Sequence, residues 1–166
     1  MIVAAKALSY EGITSLLRSR EDLLQQNCFI SILPEQLRKQ AADLVWPANS
    51  ERWYSTFFED IRPEYLNLIE MLEERLDREI EVFDEAEADR IIDFLEKSHK
   101  RPAPETLYAN CVAGVSRSGA VVSFACEAFE LDRRKFLESN PQIMPNNLVL
   151  YMLRERWQLR HRESIR

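Results

Sequence analysis

Only three glycines occur in the chain, and two of them, Gly114 and Gly119, follow closely on Cys111 in the stretch LYANCVAGVSRSGAVVSFA, Leu107–Ala125. Apolar, β-prone residues lead in, a helix-like apolar run leads out, and the turn between them holds Cys111, Gly114, Ser116, Arg117 and Ser118. A strand that delivers a side chain at its C-terminal end and turns through glycine into a helix restricts the fold sharply. It is the unit of α/β domains, whose ligands sit at strand C-termini.

The turn has a chemistry of its own. If the N–H groups of Val112, Ala113, Gly114, Val115, Ser116 and Arg117 converge, they and the following helix dipole cradle an anion. Arg117 adds a planar fork of donors matched to two phosphate oxygens, where a lysine would offer a point charge. Cys111 lies in the same positive field. Such a field favours the thiolate and brings activated thiols into the range of roughly 3.5 to 7.5. A thiolate facing a bound phosphate is a nucleophile.

The rest of the chain alternates strands and helices. MIVAA, CFISIL, WYSTFF and TLYAN read as strands, and TLYAN delivers Cys111. Helical spacing marks Tyr10–Leu24, a segment from Pro63 to Glu79 and one from Phe83 to Leu95. Beyond the cysteine it marks Ser118–Phe129, Asp132–Ser139 and Asn147–Arg162. The pattern predicts one three-layer α/β domain over residues 1–166, with a mostly parallel sheet of about four to five strands flanked by helices. A helical insertion is expected at about 62–80.

Charge and composition narrow the partners. A net charge of −6 conceals fifteen Asp and Glu against four Arg between Glu59 and Glu96, a local −11 that leaves +5 for the rest. That segment opposes nucleic acid and anionic lipid, and reads most simply as solvated helix faces. No run of eighteen apolar residues occurs, and the N-terminus lacks the pattern of a secretory signal, so a cytoplasmic, monomeric protein is expected, with no membrane and no nucleic acid among its partners. Cys28, Cys111 and Cys126 are odd in number and widely spaced, unlike a disulfide framework. A Cys-His protease would need His99 or His161 beside Cys111, and both read as surface residues. No closely spaced Cys and His ligands suggest zinc, and no metal or cofactor is implied. The arginines near the C-terminus, Arg154, Arg156, Arg160, Arg162 and Arg166, are expected to complement a helix C-terminus.

The spacing of Cys111, five residues and Arg117, with glycine third and serine after the arginine, resembles the signature loop of the cysteine-dependent protein tyrosine phosphatase superfamily. The wording CVAGVSRSGA is most similar to its dual-specificity branch. The resemblance implies that Cys111 attacks phosphorus, Arg117 holds the phosphoryl oxygens and Ser118 assists departure of the thiolate. The pair Pro145–Asn146 would support the loop by hydrogen bonds. Two departures stand out. Asn110 occupies the place where the family usually has histidine, though its amide can still donate hydrogen bonds. Trp46 and Pro47 are followed by Ala48, unlike the tryptophan-proline-aspartate loop of the classical tyrosine-specific branch.

The resemblance further implies a general acid on another loop, and two aspartates qualify. Asp60 follows WYSTFF and resembles the strand-end acid of bacterial dual-specificity members, whereas Asp84 sits where an aspartate ordinarily caps a helix. Asp60 is the favoured reading. Uncharged Val112, Ala113 and Val115 point to a monophosphate ester, in a phosphorylated protein or a small phosphomonoester. The alternative function is phosphate binding without turnover.

Overall fold

The computed structural model describes residues 1–20, 22–38 and 49–163; Trp46, Pro47, Ala48 and Arg166 lie outside them. Four strands form the sheet: β1 (Ile2–Ser9), β2 (Cys28–Leu33), β3 (Trp53–Phe57) and β4 (Glu105–Cys111), in the order β1-β4-β2-β3. Every pairing is parallel. Ser9 lies opposite Cys111 and Leu33 opposite Phe57, so all four strands end at one edge.

Alternation along β2 explains the layers, because successive side chains of a strand point to opposite faces. Cys28, Ile30 and Ile32 join the larger core, whereas Phe29 joins a second cluster with Ile13, Trp53 and Tyr108. On that second face Phe29 stacks on Trp53 and Tyr108, with ring centroids 5.3 and 5.2 Å apart. The helices α1 (Tyr10–Ser19) and α2 (Leu23–Gln26) belong to this side, where Leu16, Leu17, Leu23 and Leu24 pack on the cluster. The larger face is covered by α4 (Glu85–His99), α5 (Arg117–Ala128) and α7 (Asn147–Glu163). Every residue of α5 from Arg117 to Cys126 is buried, as expected of a helix apolar on all sides. Val121, Val122 and Phe124 there contribute about 1.5–3 kcal/mol each by burial.

Several expected elements take a different form. The first strand runs on to Ser9, because Lys6 to Ser9 pair with Tyr108 to Cys111. The helix expected over Tyr10–Leu24 breaks at Arg20, whose φ is −144°. Ser19 there bonds back to the carbonyls of Ser15 and Leu16, and Arg20 pairs with Asp22, local bonds that compete with the helix. The segment expected to be helical over Pro63–Glu79 is a 3-10 helix (Pro63–Leu68) followed by α3 (Ile69–Leu76), closed by Asp77 at φ 50°. A short 3-10 turn, Glu35–Leu37, follows β2, and α6 (Arg133–Ser139) is capped by Asp132.

Arg160 and Arg162 lie in the last turn of α7, as expected of basic residues there, but the arginines of this helix also make ion pairs with other helices. Arg156 reaches Glu85 and Asp89, Arg160 reaches Asp89 and Asp93, and Arg154 pairs with Glu127. Four residues per turn or so place Arg156 and Arg160 on one face of α7, against the acidic face of α4. His99 is half-buried, stacked on Phe129 at 4.3 Å, while exposed His161 packs on Trp157. Among the described residues, no helix is long and apolar enough to cross a membrane.

Candidate active site

The site gathers at the edge where the parallel strands end. β4 delivers Cys111, residues 112–116 form the turn, and α5 begins at Arg117. Gly114 makes the turn possible. Its φ is 72°, and a Cβ built there would stand 2.4 Å from the Ser9 nitrogen and 2.5 Å from the Leu8 carbonyl carbon. Only glycine meets both demands. The start of the turn is held to the end of β1, where the Tyr10 N–H donates to the Val112 carbonyl at 3.1 Å.

Gly119 serves a different close approach. A Cβ there would meet Ile143 Cγ2 at 3.0 Å, so the residues ahead of α7 lie against the first turn of α5. From that position the Met144 N–H donates to the Val115 carbonyl and the Asn146 N–H to the Ser116 carbonyl, at 3.3 and 3.1 Å. The buried Asn146 side chain does more. Its Oδ1 accepts from the N–H groups of Leu148 and Val149, capping α7, while its Nδ2 donates to Asp60 Oδ1 at 2.7 Å and to the Ile61 carbonyl at 2.9 Å. Ser116 Oγ also donates to Asp60 Oδ1, at 2.8 Å. Asp60 thereby joins the turn although 51 residues separate it from Cys111 (111 − 60).

Cys111 is buried, with its sulfur 3.2 Å from Ser118 Oγ. Burial pushes a thiol up, and it is the largest cause of the rise at Cys28, to about 12, and at Cys126, to about 11, where neighbouring carboxylates add to it. At Cys111 burial is again the largest single influence, yet it is outweighed. The Ser118 hydroxyl, the Ser118 N–H, the Arg117 charge and the Val115 N–H together hold this thiol below its ordinary value. Arg117, itself 5% exposed, donates through Nη1 to the Phe58 carbonyl at 2.5 Å. Its Nε is buried and has no partner among the described residues. A buried, charged donor without an acceptor costs free energy, and an anion in the turn would satisfy it.

The remaining sequence-derived residues fall as follows. Val112 and Ala113 are exposed at the mouth, Gly114 is buried and Val115 half-buried. Asn110 is paired in register with Leu8 and Ser31, and its Nδ2 is buried and has no hydrogen-bond partner among the described residues. Asp84 is the N-cap of α4, accepting from the Glu87 N–H at 2.7 Å, and no bond joins it to the turn among the described residues. The carbonyls of Phe58 and Ile61 were not foreseeable. They act through the backbone, which leaves no mark in residue identity.

No protein-family model matches the chain, and no curated protein matches it. Solved structures do. The crystal structure of the Cydia pomonella PTP-2 phosphatase superposes with a TM-score of 0.50 at 15% identity, covering 90% of this chain and 83% of its own. The chain has a phosphatase-like fold. Two further structures align over most of their length. They are the human tyrosine phosphatase-like serine/threonine/tyrosine-interacting protein, at 17% identity, 91% and 85% coverage and a TM-score of 0.40, and PTPMT1 in complex with PI(5)P, at 12% identity, 97% and 94% coverage and a TM-score of 0.48.

Proposed function

We propose that the chain is a phosphomonoester hydrolase of the protein tyrosine or dual-specificity type, working through a phosphocysteine. One observation carries this reading: the buried Arg117 guanidinium leaves Nε unpartnered beside a thiol held below its ordinary pKa. A phosphoryl group supplies what both lack. Its oxygens accept from Arg117, and its phosphorus accepts the electron pair of the Cys111 thiolate.

In the first step the S–P bond forms as the P–O bond to the leaving group breaks, and Asp60 gives its proton to the departing oxygen. Two donors occupy Asp60 Oδ1, which leaves Oδ2 to carry that proton. In the second step water attacks phosphorus, the Asp60 carboxylate takes the water's proton, and the S–P bond breaks to return the thiolate and inorganic phosphate. The Ser118 hydroxyl, 3.2 Å from the sulfur, stabilises the returning thiolate. The phosphatase-like fold supports this reading by bringing the turn and the Asp60 loop to the same strand ends.

A second reading is phosphate binding without turnover. It is favoured by Asp60 being engaged with Ser116 and Asn146, and by the Asn110 Nδ2 having no hydrogen-bond partner among the described residues. Release of phosphate from para-nitrophenyl phosphate separates the two. The hydrolase reading requires turnover by the wild type, its suppression by vanadate and its loss in Cys111→Ser. Equal background rates from both proteins leave the binding reading.

A further inference from the structure

The acidic segment Glu59–Glu96 divides into two halves with different surroundings. The α4 half is covered, since Arg156 and Arg160 of α7 pair with Glu85, Asp89 and Asp93. The half that contains the 3-10 helix and α3 has no such cover. Neither of these two elements has a buried residue, although the stretch is rich in large apolar side chains. Tyr65, Leu66, Leu68, Met71 and Leu76 are between 36% and 53% exposed. The two elements pack mainly on each other. Lone exposed leucines are ordinary, but five large apolar residues within twelve positions form a surface with a use.

Its charge restricts what can cover it. Glu64, Glu70 and Glu74 are exposed and have no ion-pair partner among the described residues, and over residues 62–79 six carboxylates outnumber three arginines, Arg62, Arg75 and Arg78. An anionic lipid surface would be repelled. A second copy meeting the first across a two-fold axis would set the same carboxylates against one another. A basic segment with apolar residues suits both the apolar and the acidic groups.

Position says which such segment. The stretch leaves the site three residues after Asp60, a reach of about 10 Å in extended chain. Its root is fixed there by Asn146 Nδ2 on the Ile61 carbonyl. Apolar side chains continue at the mouth, where Val112 is 45% and Met144 64% exposed. We propose that this surface docks a basic, apolar stretch of the phosphoprotein substrate flanking the phosphorylated residue. The proposal rests on the hydrolase reading and adds a substrate class to it.

Two peptides test it, sharing one phosphotyrosine core, with a flank of Lys, Arg, Leu and Phe in the first and of Asp and Ser in the second. For the wild type at low salt, kcat/KM for the basic peptide should exceed that for the acidic one by about tenfold, the scale of a few apolar contacts and screened charge pairs. That ratio should shrink toward one in half-molar salt, in Glu70→Lys with Glu74→Lys, and in Leu68→Ser with Met71→Ser. Equal wild-type rates for the two peptides, or a ratio untouched by both double variants, overturns the proposal. So does a stable dimer whose dissociation follows from Leu68→Ser with Met71→Ser. If para-nitrophenyl phosphate is not turned over, the hydrolase reading fails separately, and the docking surface is then read by fluorescence anisotropy of the two peptides on Cys111→Ser. A tenfold preference for the basic peptide still supports it, and equal affinities still overturn it.

Discussion

Asn146 Nδ2 lies 2.7 Å from Asp60 Oδ1, a bond between residues 86 apart that joins the loop after β3 to the start of α7. The same side chain caps α7 through Leu148 and Val149. Asn146→Ala therefore removes the cap and leaves two buried N–H groups unpaired, at about 1–3 kcal/mol. A thermal melt should show Tm lower by several degrees, at about 2–4 °C per kcal/mol for a chain of this size. An unchanged Tm would mean that the cap is dispensable.

Gly114→Ala tests the turn. Its Cβ would meet the backbone of Leu8 and Ser9 in a left-handed conformation, and neither neighbour is a flexible side chain that could move aside. The turn must shift, so vanadate binding followed by calorimetry should weaken by at least about tenfold. The left-handed strain alone costs about 1–2 kcal/mol.

Arg117→Lys preserves charge and loses the fork. The Phe58 carbonyl loses the guanidinium that now binds it, and one donor of a bidentate pair goes with it. Turnover of para-nitrophenyl phosphate should fall by at least about 10²-fold, on the scale of deleting one preorganised donor. Full activity in the lysine variant would contradict the cradle.

Asp60→Asn and Asp84→Asn separate acid from cap. Loss of the true acid costs far more with an alkyl or unactivated aryl phosphate than with an activated one, whose leaving group needs little help. Asp60→Asn should show that differential. Asp84→Asn should leave both rates and Tm nearly unchanged, because asparagine caps a helix about as well as aspartate. A differential confined to Asp84→Asn would reassign the acid.

The three thiols should separate by pH. Iodoacetamide consumption at Cys111 should reach half its limiting rate at a lower pH than for an ordinary exposed thiol, whereas Cys28 and Cys126 should resist labelling in the folded protein. The Cys111 value is depressed by folding, so its contribution to stability is complete above the unfolded value and is lost as pH falls through the folded one. Urea melts should therefore show a larger gap between wild type and Cys111→Ser at about pH 9 than at about pH 5. A gap independent of pH would remove the thiolate from the account.

Much of this site was legible because its chemistry is local. Cys111, Gly114, Arg117 and Ser118 lie in one turn, and a strand-to-helix reversal around a left-handed glycine dictates their arrangement. Asp60 was legible only in part, since its place depends on Ser116 and Asn146 meeting it from distant segments. Helix ends set by side-chain competition, such as the break at Arg20, escaped periodicity altogether. The arginines of α7 were read only in part, because their partners lie on other helices. Those of Arg156 and Arg160 are on α4, some seventy residues earlier, and that of Arg154 is Glu127 on α5, and sequence neighbours could not reveal them.

The central place of β4 bears on the order in which the molecule can come together. β4 lies between β1 and β2, and both partners are distant in sequence, as Lys6 pairs with Tyr108, 102 residues on (108 − 6), and Phe29 with the same residue, 79 residues on (108 − 29). Closing loops of that length is entropically costly before any contact rewards it, and parallel pairing of this kind is slow. The turn cannot be shaped early, because the backbone that Gly114 abuts belongs to β1. During synthesis, β1 to β3 wait as incomplete neighbours until residues 105–111 emerge, and the turn from Cys111 to Arg117 takes form only when that last strand slides between β1 and β2.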